Sequence, residues 1–170
     1  DGVRQGAVWS NTSGYDNFGA FEFDGVDNYI SVNNLNFTNS TPFSVTLWFN
    51  RPAGSTSNYD TMIGYYDAPR YWSAGFNNDG RVMARIGQGG GGSYQYVISS
   101  ATYNDSKWHF LGWTYDGVDT QTLYIDGANV DQTTTTPDKF DSAFDITIGA
   151  QMREAGLLYH YYGTLDEIMI

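Results

Sequence analysis

Apolar and polar residues alternate along much of the chain with a period of two. In FSVTLWFN, Val45, Leu47 and Phe49 fall on one face, and Thr46 and Trp48 fall on the other. This alternation is typical of a β-strand with one buried face, because successive side chains point to opposite sides of a sheet. No stretch shows a comparable helical period, although a single helical turn is considered around 136–144. The pattern therefore predicts an all-β protein.

Strand patterns recur at short intervals and are separated by turn sequences. We predict strands, in chain order, at 19–25, 28–32, 43–50, 61–66, 71–76, 81–87, 94–99, 108–116, 121–127, 145–150 and 164–170. The intervening turns are rich in Asp-Gly and Asn-Asp-Gly, which favour hairpins because glycine adopts a positive φ at little cost. Many short strands at close spacing predict a sandwich or jelly roll of two packed sheets.

Composition narrows the class of protein. The chain has 170 residues, 41% apolar and 16% charged, which is typical of one globular domain. Its formal net charge of −11 repels phosphate backbones, so nucleic acid is not expected as a partner. Cysteine is absent, which excludes disulfides and thiolate metal sites. No apolar run has the length that a membrane helix needs, so we expect no membrane insertion.

Several motifs occur in a characteristic order: FDGVDNYISV, FSVTLWFN, NNDGRV, WHFLGWTYDG, LYIDG, ITIGA and YYGTLDEIMI. In this order they resemble the laminin-G-like, concanavalin A-like jelly-roll domains of bacteria and archaea, from about Gly19 to Ile170. The resemblance implies a two-sheet antiparallel jelly-roll β-sandwich that binds glycans or proteins rather than catalysing a reaction. It also implies that Trp48, Trp108 and Trp113 pack between the sheets.

The same resemblance bears on domain organisation. We expect residues 1–170 to form a single laminin-G-like domain of a larger protein that is secreted or lies at a cell or virion surface. The chain lacks an initiator methionine and stops before the short tail that usually follows the closing strand in the family. Both features underlie this expectation.

A calcium site is the metal centre that the resemblance implies. Asp166 matches an aspartate of the closing strand that commonly helps to hold a structural Ca²⁺, with Asp24 and the carbonyl of Gly25 as possible partners. Ca²⁺ prefers six to eight oxygen ligands, which carboxylates and carbonyls supply. Strict alternation would place Asp166 opposite the face of Leu165 and beside apolar neighbours. The alternative is that Asp166 only accepts hydrogen bonds at a corner of the sheet.

Aromatic residues around a proline-containing turn and in the loop that enters the last strand are the candidate ligand contacts. They occur in YYDAPRYW and LLYHYYG, at 65–72 and 157–163. Flat rings cover the apolar faces of sugars, while nearby polar groups bond the hydroxyls. The predicted ligand-binding residues are Tyr65, Tyr66, Arg70, Tyr71, Trp72, Tyr159 and Tyr161. The alternative is that these rings cover sheet edges or are incidental surface tyrosines.

Catalysis is not expected from these residues. Glycosidases of the same jelly-roll fold carry paired acids in an E-x-D-x-x-E-like run, and this chain has only three glutamates and no such run. His109 belongs to the WHFLGWTYDG motif and is predicted to be packed or hydrogen-bonded. We therefore predict a protein that is not an enzyme.

Two functions from different classes remain. The first is carbohydrate recognition, of a glycan or polysaccharide, by loop and concave-face aromatics with structural calcium. The second is a structural or adhesion module of a cell-surface, filament or phage assembly that contacts neighbouring protein domains or copies. A glycan-active enzyme with an unfamiliar site is a third and weaker hypothesis.

Overall fold

The computed structural model describes residues 2–38, 40–55, 59–67, 70–88, 95–134, 141–153 and 156–170. This part of the chain contains sixteen β-strands. The first eight are β1 (Val3–Gln5), β2 (Val8–Ser10), β3 (Ala20–Asp24), β4 (Tyr29–Thr38), β5 (Phe43–Asn50), β6 (Thr61–Asp67), β7 (Arg70–Phe76) and β8 (Arg81–Gln88). The others are β9 (Gln95–Thr102), β10 (Trp108–Tyr115), β11 (Thr120–Ile125), β12 (Ala128–Thr134), β13 (Asp141–Ile148), β14 (Gln151–Arg153), β15 (Gly156–Leu158) and β16 (Tyr162–Met169).

Two seven-stranded antiparallel sheets form a concanavalin A-like β-sandwich, as predicted. The first sheet has the strand order β1-β4-β13-β6-β7-β8-β9, and the second has the order β12-β11-β10-β5-β16-β3-β2. Strands β14 and β15 form a separate small hairpin. The closing strand β16 lies in the middle of the second sheet, between β5 and β3. Pairing of sequence-distant strands is therefore what completes this sheet.

The core lies between the inner faces of the two sheets. In β5, Val45, Leu47 and Phe49 are fully buried, and the residues between them are not. The predicted alternation is thus observed, because every second side chain of an antiparallel strand meets the opposite sheet. Trp72 of the first sheet packs at 5.1 Å from Trp113 of the second, measured between ring centroids. Large aromatic rings therefore hold the two layers together.

Two of the three tryptophans that were predicted to pack between the sheets lie elsewhere. Trp113 is fully buried in the core, as predicted. Trp48 and Trp108 lie on the outer face of the second sheet, opposite Phe110 and Asn50 in the strand register. They belong to the positions that alternate with the core residues, so the prediction was wrong for both. Motif matching did not take the parity of the strand into account.

The closing strand does not keep a strict alternation. One residue more is present in β16 than in β5 between the pairs Asp166–Trp48 and Met169–Thr46. Glu167 adopts a φ of 46° at this bulge, and Ile168 packs against the core on the same side as Leu165. A bulge inserts one residue and shifts the face of everything beyond it. This explains why the apolar residues of GTLDEIMI have no single parity.

Candidate functional site

A groove lies on the outer face of the first sheet, across β7, β8 and β9. Alternation directs Trp72, Ala84 and Val97 into the core, and all three are fully buried. The intervening residues face outward, and the strand register places Ser73, Arg85 and Tyr96 in one row across the three strands. The same periodicity that builds the core thus presents a second set of side chains to solvent.

The wall of the groove is made by two tyrosines from outside these strands. The rings of Tyr59 and Tyr159 meet edge to face, with centroids 5.8 Å apart. The backbone amide of Thr61 donates to the carbonyl of Tyr159 at 2.8 Å, which joins their two segments. Both tyrosines have a positive φ, 63° for Tyr59 and 56° for Tyr159, and such strained backbone persists only where surrounding contacts fix it. The wall is therefore held in a defined position.

Close packing also fixes the segment that carries Tyr59. The amide of Phe76 donates to the carbonyl of Asp60 at 2.7 Å, next to Gly75. A Cβ atom at Gly75 would lie only 2.2 Å from that carbonyl oxygen, so a larger residue would push the segment away. The carboxylate of Asp60 accepts from Arg51 at 2.7 Å in an ion pair that is fully buried on both sides. Removing one partner of such a pair is strongly destabilising.

The groove has a volume of about 460 Å³ and combines aromatic rings with hydrogen-bond donors. Its lining consists of Tyr59, Tyr71, Asn77, Arg81, Met83, Arg85, Tyr96, Ile98 and Tyr159. The guanidinium carbon of Arg85 lies 5.2 Å from the centre of the Tyr71 ring, and its Nε donates to Ser73 Oγ at 2.9 Å. The sheet thus fixes both an aromatic platform and a cation.

Arg81 lies on the same face of β8 as Arg85, toward the start of the strand. It forms an exposed ion pair with Asp79 at 2.8 Å. A side-chain hydrogen bond from Arg81 lowers the pKa of Asp79 below its ordinary value. The same bond raises the pKa of Arg81, so this arginine stays charged at any physiological pH.

The structure divides the predicted ligand-binding residues into three groups. Tyr71 and Tyr159 come together in the groove, although they are far apart in sequence. Tyr65 packs against the core, and Trp72 and Tyr161 are both 0% exposed. A surface ligand does not reach fully buried rings, which corrects the prediction for Trp72 and Tyr161. The side chains of the remaining two candidates, Tyr66 and Arg70, lie outside the described part of the chain.

Sequence reasoning missed most of the groove. It searched the loops for aromatics, whereas Arg81, Arg85 and Tyr96 lie within strands. The sequence RVMARIG did contain a signal, because Arg81, Met83 and Arg85 alternate with apolar residues and therefore share the face that points away from the core. Which outward face carries a groove depends on the segments that border it, and the alternation does not contain that information.

The predicted calcium ligands do not all come together. Asp24 pairs with Tyr162 across the sheet, and Asp166 lies four residues further along β16. At about 3.3 Å per residue this separation is about 13 Å, so one Ca²⁺ with ligands at about 2.3–2.6 Å does not bind both carboxylates. The grouping of Asp166 with Asp24 and Gly25 was therefore wrong. No group of three or more acidic, histidine or cysteine side chains able to hold a metal occurs in the described residues.

Asp24 and Gly25 remain neighbours at one end of the sandwich. They line a surface pocket with Tyr162 and the loop Pro52–Ser55. Asp24 Oδ1 accepts from the amide of Val26 at 2.9 Å. That bond is the main cause that holds the pKa of Asp24 below its ordinary value, so the carboxylate stays ionised at neutral pH. Calcium binding here stays a prediction.

Asp166 accepts hydrogen bonds from two backbone amides. Its Oδ2 accepts from Tyr15 at 3.1 Å, and its Oδ1 accepts from Glu167 at 2.8 Å. The first bond joins the loop between β2 and β3 to the closing strand, and the second stabilises the bulge at Glu167. Hydrogen bonding at a corner of the sheet, which was the alternative to a metal ligand, is therefore what the structure describes.

His109 is hydrogen-bonded, as predicted. Its Nδ1 lies 2.7 Å from Asp126 and its Nε2 lies 3.1 Å from Asp105. Burial opposes ionisation of Asp105, but hydrogen bonds from Lys107 and His109 outweigh it and lower its pKa to about 2. This contact joins the turn before β10 to the turn after β11. A histidine held between two carboxylates serves here to connect turns.

The two seven-stranded sheets define a concanavalin A-like β-sandwich, and the groove lies on the outer face of one of them. The family model described as Laminin_G_3, concanavalin A-like lectin/glucanases superfamily, matches residues 24–170. The chain belongs to this family. No curated protein matches it in sequence.

Solved structures share the fold at low identity. The binding domain of Paraclostridial Mosquitocidal Protein 1 aligns with a TM-score of 0.77 and 19% identity, over 98% of this chain and 42% of that chain. Domain 4 of AbnA, a GH43 extracellular arabinanase from Geobacillus stearothermophilus solved with arabinotriose, aligns with a TM-score of 0.75 and 18% identity, over 98% and 80%. Domains LG4-5 of the mouse laminin alpha1 chain align with a TM-score of 0.66 and 17% identity, over 88% and 40%.

The chain corresponds to only part of several of these solved structures. It spans less than half of the solved toxin binding domain and of the laminin pair. The botulinum neurotoxin serotype G binding domain also aligns, with a TM-score of 0.72 and 14% identity, over 98% of this chain and 41% of that chain. This structure and that of the mosquitocidal protein are named as binding domains, and domain 4 of AbnA belongs to an extracellular enzyme. Within the described residues, no helix has the length and apolar character to cross a membrane.

Proposed function

We propose that the chain is a non-catalytic carbohydrate-binding module and that the groove on the first sheet is its binding site. The observation that carries this proposal is the set of four tyrosines in one groove, beside two arginines and Asn77. Tyrosine rings cover the apolar C–H faces of a sugar, and guanidinium, amide and hydroxyl groups bond its oxygens. The groove offers both kinds of contact on a regular sheet.

Preorganisation favours binding at this groove. Arg85 is fixed by Ser73 and lies over Tyr71, while Tyr59 and Tyr159 are held by backbone contacts. Side chains that are already ordered lose less conformational entropy when a ligand binds, so more of the contact energy appears as affinity. The proposed site therefore does not depend on a large rearrangement.

The absence of acids favours binding over catalysis. No acidic side chain is among the described residues that line the groove. Glycoside hydrolysis ordinarily uses two carboxylates, placed about 5–9.5 Å apart on either side of the bond. The neighbours named as binding domains and the arabinanase domain solved with arabinotriose support the same class of function. The family also includes glucanases, so release of sugar is the result that would oppose this proposal.

The setting of the module follows from the same proposal. We infer that it is one domain of a larger protein that is secreted or lies at a cell or virion surface, where glycans are available. The extracellular arabinanase and the toxin domains support this inference by analogy of fold. Calcium at Asp24 and Gly25 is retained as a proposed structural ion.

A glycan array followed by calorimetry tests the proposal. We expect binding to at least one oligosaccharide and a loss of roughly tenfold in affinity on Tyr71→Ala, since one ring contact is worth about 1–1.5 kcal/mol. Tyr124→Ala is the matched control, because Tyr124 lies on β11 of the second sheet, outside the groove. Equal loss in both variants, or no binding to any glycan, contradicts the groove as a sugar site.

Protein contact is the second candidate function, and exposed apolar residues favour it. Phe18 is 73% exposed and Trp9 is 47% exposed, and Met169 is also exposed at the far end of β16. Exposed apolar patches mark interaction sites when they are contiguous. Sedimentation at micromolar protein tests this function: self-association that Phe18→Ser abolishes supports it, and a monomer at all concentrations opposes contact between copies.

A further inference from the structure

An apolar cleft of about 430 Å³ opens between the two sheets at the edge formed by β1 and β2. Ile148 and Leu165 lie at its buried floor, and Trp9 and Glu167 lie at its exposed mouth. A mostly apolar cleft of this size with a few polar groups is typical of a binding site. We propose that it binds an extended, basic peptide segment with alternating apolar side chains, which adds as a strand to the edge of β2. This site is separate from the groove and does not depend on glycan binding.

The two lateral edges of the sandwich differ in how they are closed. At one edge β9 and β12 pack on each other, and Asp131 of β12 accepts from the amide of Ile98 in β9 at 2.8 Å. A charged side chain that covers an edge strand prevents further pairing. Strands β1 and β2 end their sheets at the opposite edge, and in the described part of the chain no side chain caps their backbone in this way. The outward backbone groups of β2 can therefore pair with another strand.

Trp9 forms a fixed aromatic wall of the cleft. Its Nε1 donates to Asn11 Oδ1 at 2.8 Å, and its ring meets Phe21 edge to face with centroids 4.9 Å apart. A Cβ atom at Gly19 would lie 1.9 Å from the indole, so only glycine leaves room for the ring there. The side chain is held in place and is still 47% exposed. A preorganised tryptophan of this kind commonly dominates the affinity of a protein contact.

The bulge in β16 completes the apolar lining. Strict alternation would turn Ile168 away from Leu165, but the extra residue at the bulge returns it to the same side, and both line the cleft. The lining comes from both sheets, and sheets that pack face to face lie about 10 Å apart. The cleft therefore has the width of one layer of side chains. A strand added to β2 would direct every second side chain into this layer.

Charge favours a basic segment at β2. Asp166 and Glu167 line the cleft from the second sheet, whereas Arg4 lines it from β1 of the first sheet. Both oxygens of Asp166 accept from backbone amides, and within the described residues neither Glu167 nor Arg4 forms an ion pair. The net charge of −11 attracts a basic partner and repels a second copy of this chain.

Matched peptides test the addition of a strand. The probe is the acetylated and amidated peptide KVTLTVK, whose three apolar residues share one face of a strand. Its controls are KVVTLTK, which has the same composition without the alternation, and DVTLTVD, which reverses the charge. We expect calorimetry to show KVTLTVK binding at least roughly fivefold more tightly than either control. Its affinity should fall as NaCl is raised, because the charges are screened.

Backbone methylation separates strand pairing from nonspecific apolar contact. N-methyl groups on the threonines remove donors from one edge of the bound peptide, and N-methyl groups on the apolar residues remove donors from the other edge. We expect one of these two sets to abolish binding and the other to leave it within about threefold. Equal effects of the two sets contradict pairing with an edge strand.

Protein variants locate the bound peptide. Trp9→Ala should weaken binding of KVTLTVK roughly tenfold. Phe18→Ala is the control, because Phe18 is 73% exposed and does not line the cleft. Glu167→Gln should weaken binding about two- to threefold and Arg4→Gln should strengthen it by a similar factor, since exposed charges interact weakly. A melting curve of each variant confirms folding.

Hydrogen exchange gives a measurement on the unaltered protein. Saturating KVTLTVK should slow amide exchange in β2 and leave β9 and β12 unchanged. Equal losses in Trp9→Ala and Phe18→Ala, or charge variants that respond in the opposite sense, overturn the inference. Self-association that Trp9→Ala abolishes makes a second copy the occupant and also overturns it. If KVTLTVK does not bind and a phage-displayed library of random heptapeptides yields no alternating apolar sequence, the cleft is not a peptide site.

Discussion

Both outer faces of the sandwich carry aromatic residues, but those of the second sheet are covered by the chain itself and those of the first sheet line an open groove. On the second sheet, the ring of Tyr15 stacks on Trp48 with centroids 3.4 Å apart and planes at 12°. On the first sheet, Tyr71 lines an open groove. We refer to the outer face of the second sheet at Tyr15, Trp48, Trp108 and Phe110 as the covered face.

A loop of the chain itself makes the difference. Residues 11–19 cross the second sheet, and Asp166 fixes them by accepting from the amide of Tyr15. A hydrogen bond from Gly14 to Phe18 at 2.9 Å closes the loop. A residue of the same chain thus occupies the aromatic platform of the covered face. In the groove, Tyr59 and Tyr159 form a wall at one side and leave the platform of Tyr71 open. Aromatic content alone does not identify a binding face; what matters is whether the chain already covers it.

The largest effect is expected on the stability of the covered face. Trp48→Ala removes the stack with Tyr15 and the contact with Phe110, whose ring lies 5.2 Å away. We expect the free energy of unfolding to fall by about 2–3 kcal/mol, somewhat less than for a fully buried tryptophan. Urea unfolding measures this, with Trp48→Phe as the control that keeps a ring. Glycan affinity should change by less than about twofold; a loss like that of Tyr71→Ala would place the sugar site on the covered face.

The next largest effect is expected when one tyrosine of each face is replaced by alanine and the two variants are compared. Tyr71→Ala should reduce glycan affinity roughly tenfold and Tyr15→Ala by less than about twofold, because the ring of Tyr15 already stacks within the chain. Stability should respond in the opposite order, with the larger loss for Tyr15→Ala. Calorimetry and urea unfolding of the same two proteins test this. The comparison fails if one variant loses more of both properties than the other.

A smaller effect is expected at the residue that fixes the covering loop. Asp166→Ala removes the acceptor for Tyr15 and Glu167, and we expect a loss of about 1–2 kcal/mol in the free energy of unfolding. Asp166→Asn retains one carbonyl oxygen and should lose about half as much. Near-UV circular dichroism should report a weaker Tyr15–Trp48 stack in the alanine variant. An unchanged spectrum would mean that the loop stays in place without Asp166.

The fold was predictable to a larger extent than the site. Alternation and turn chemistry predicted most strands of both sheets, because the period of two is a property of the local sequence. The short strands β1, β2, β14 and β15 were missed, since three residues do not establish a period. The seven-residue edge strand β12 was missed as well. Strand β13 begins at Asp141, before the predicted start and within the segment considered for a helical turn.

The site depends on contacts that the sequence does not reveal. Tyr159 meets Tyr59 across a hundred residues, through strained backbone at both positions. Trp72 and Tyr71 are neighbours in sequence, yet one is in the core and the other in the groove. The composition of a loop does not separate them, whereas the register of the strand does.

Calcium should have the smallest effect, and it distinguishes the two ends of the closing strand. If Ca²⁺ binds at Asp24 and Gly25 with a dissociation constant of about 1 mM, about 1 mM Ca²⁺ adds only about 0.4 kcal/mol to stability. EGTA should lower the melting temperature by about 1–2 °C, and Ca²⁺ should restore it. Asp24→Asn should abolish this response and Asp166→Asn should keep it, because about 13 Å of strand separates the two carboxylates.

An unchanged wild-type melting curve in EGTA contradicts calcium binding. A response lost in both variants contradicts the conclusion that Asp24 and Asp166 do not share one ion. A response that only Asp24→Asn abolishes would leave Asp166 with the single role of joining the covering loop to the closing strand.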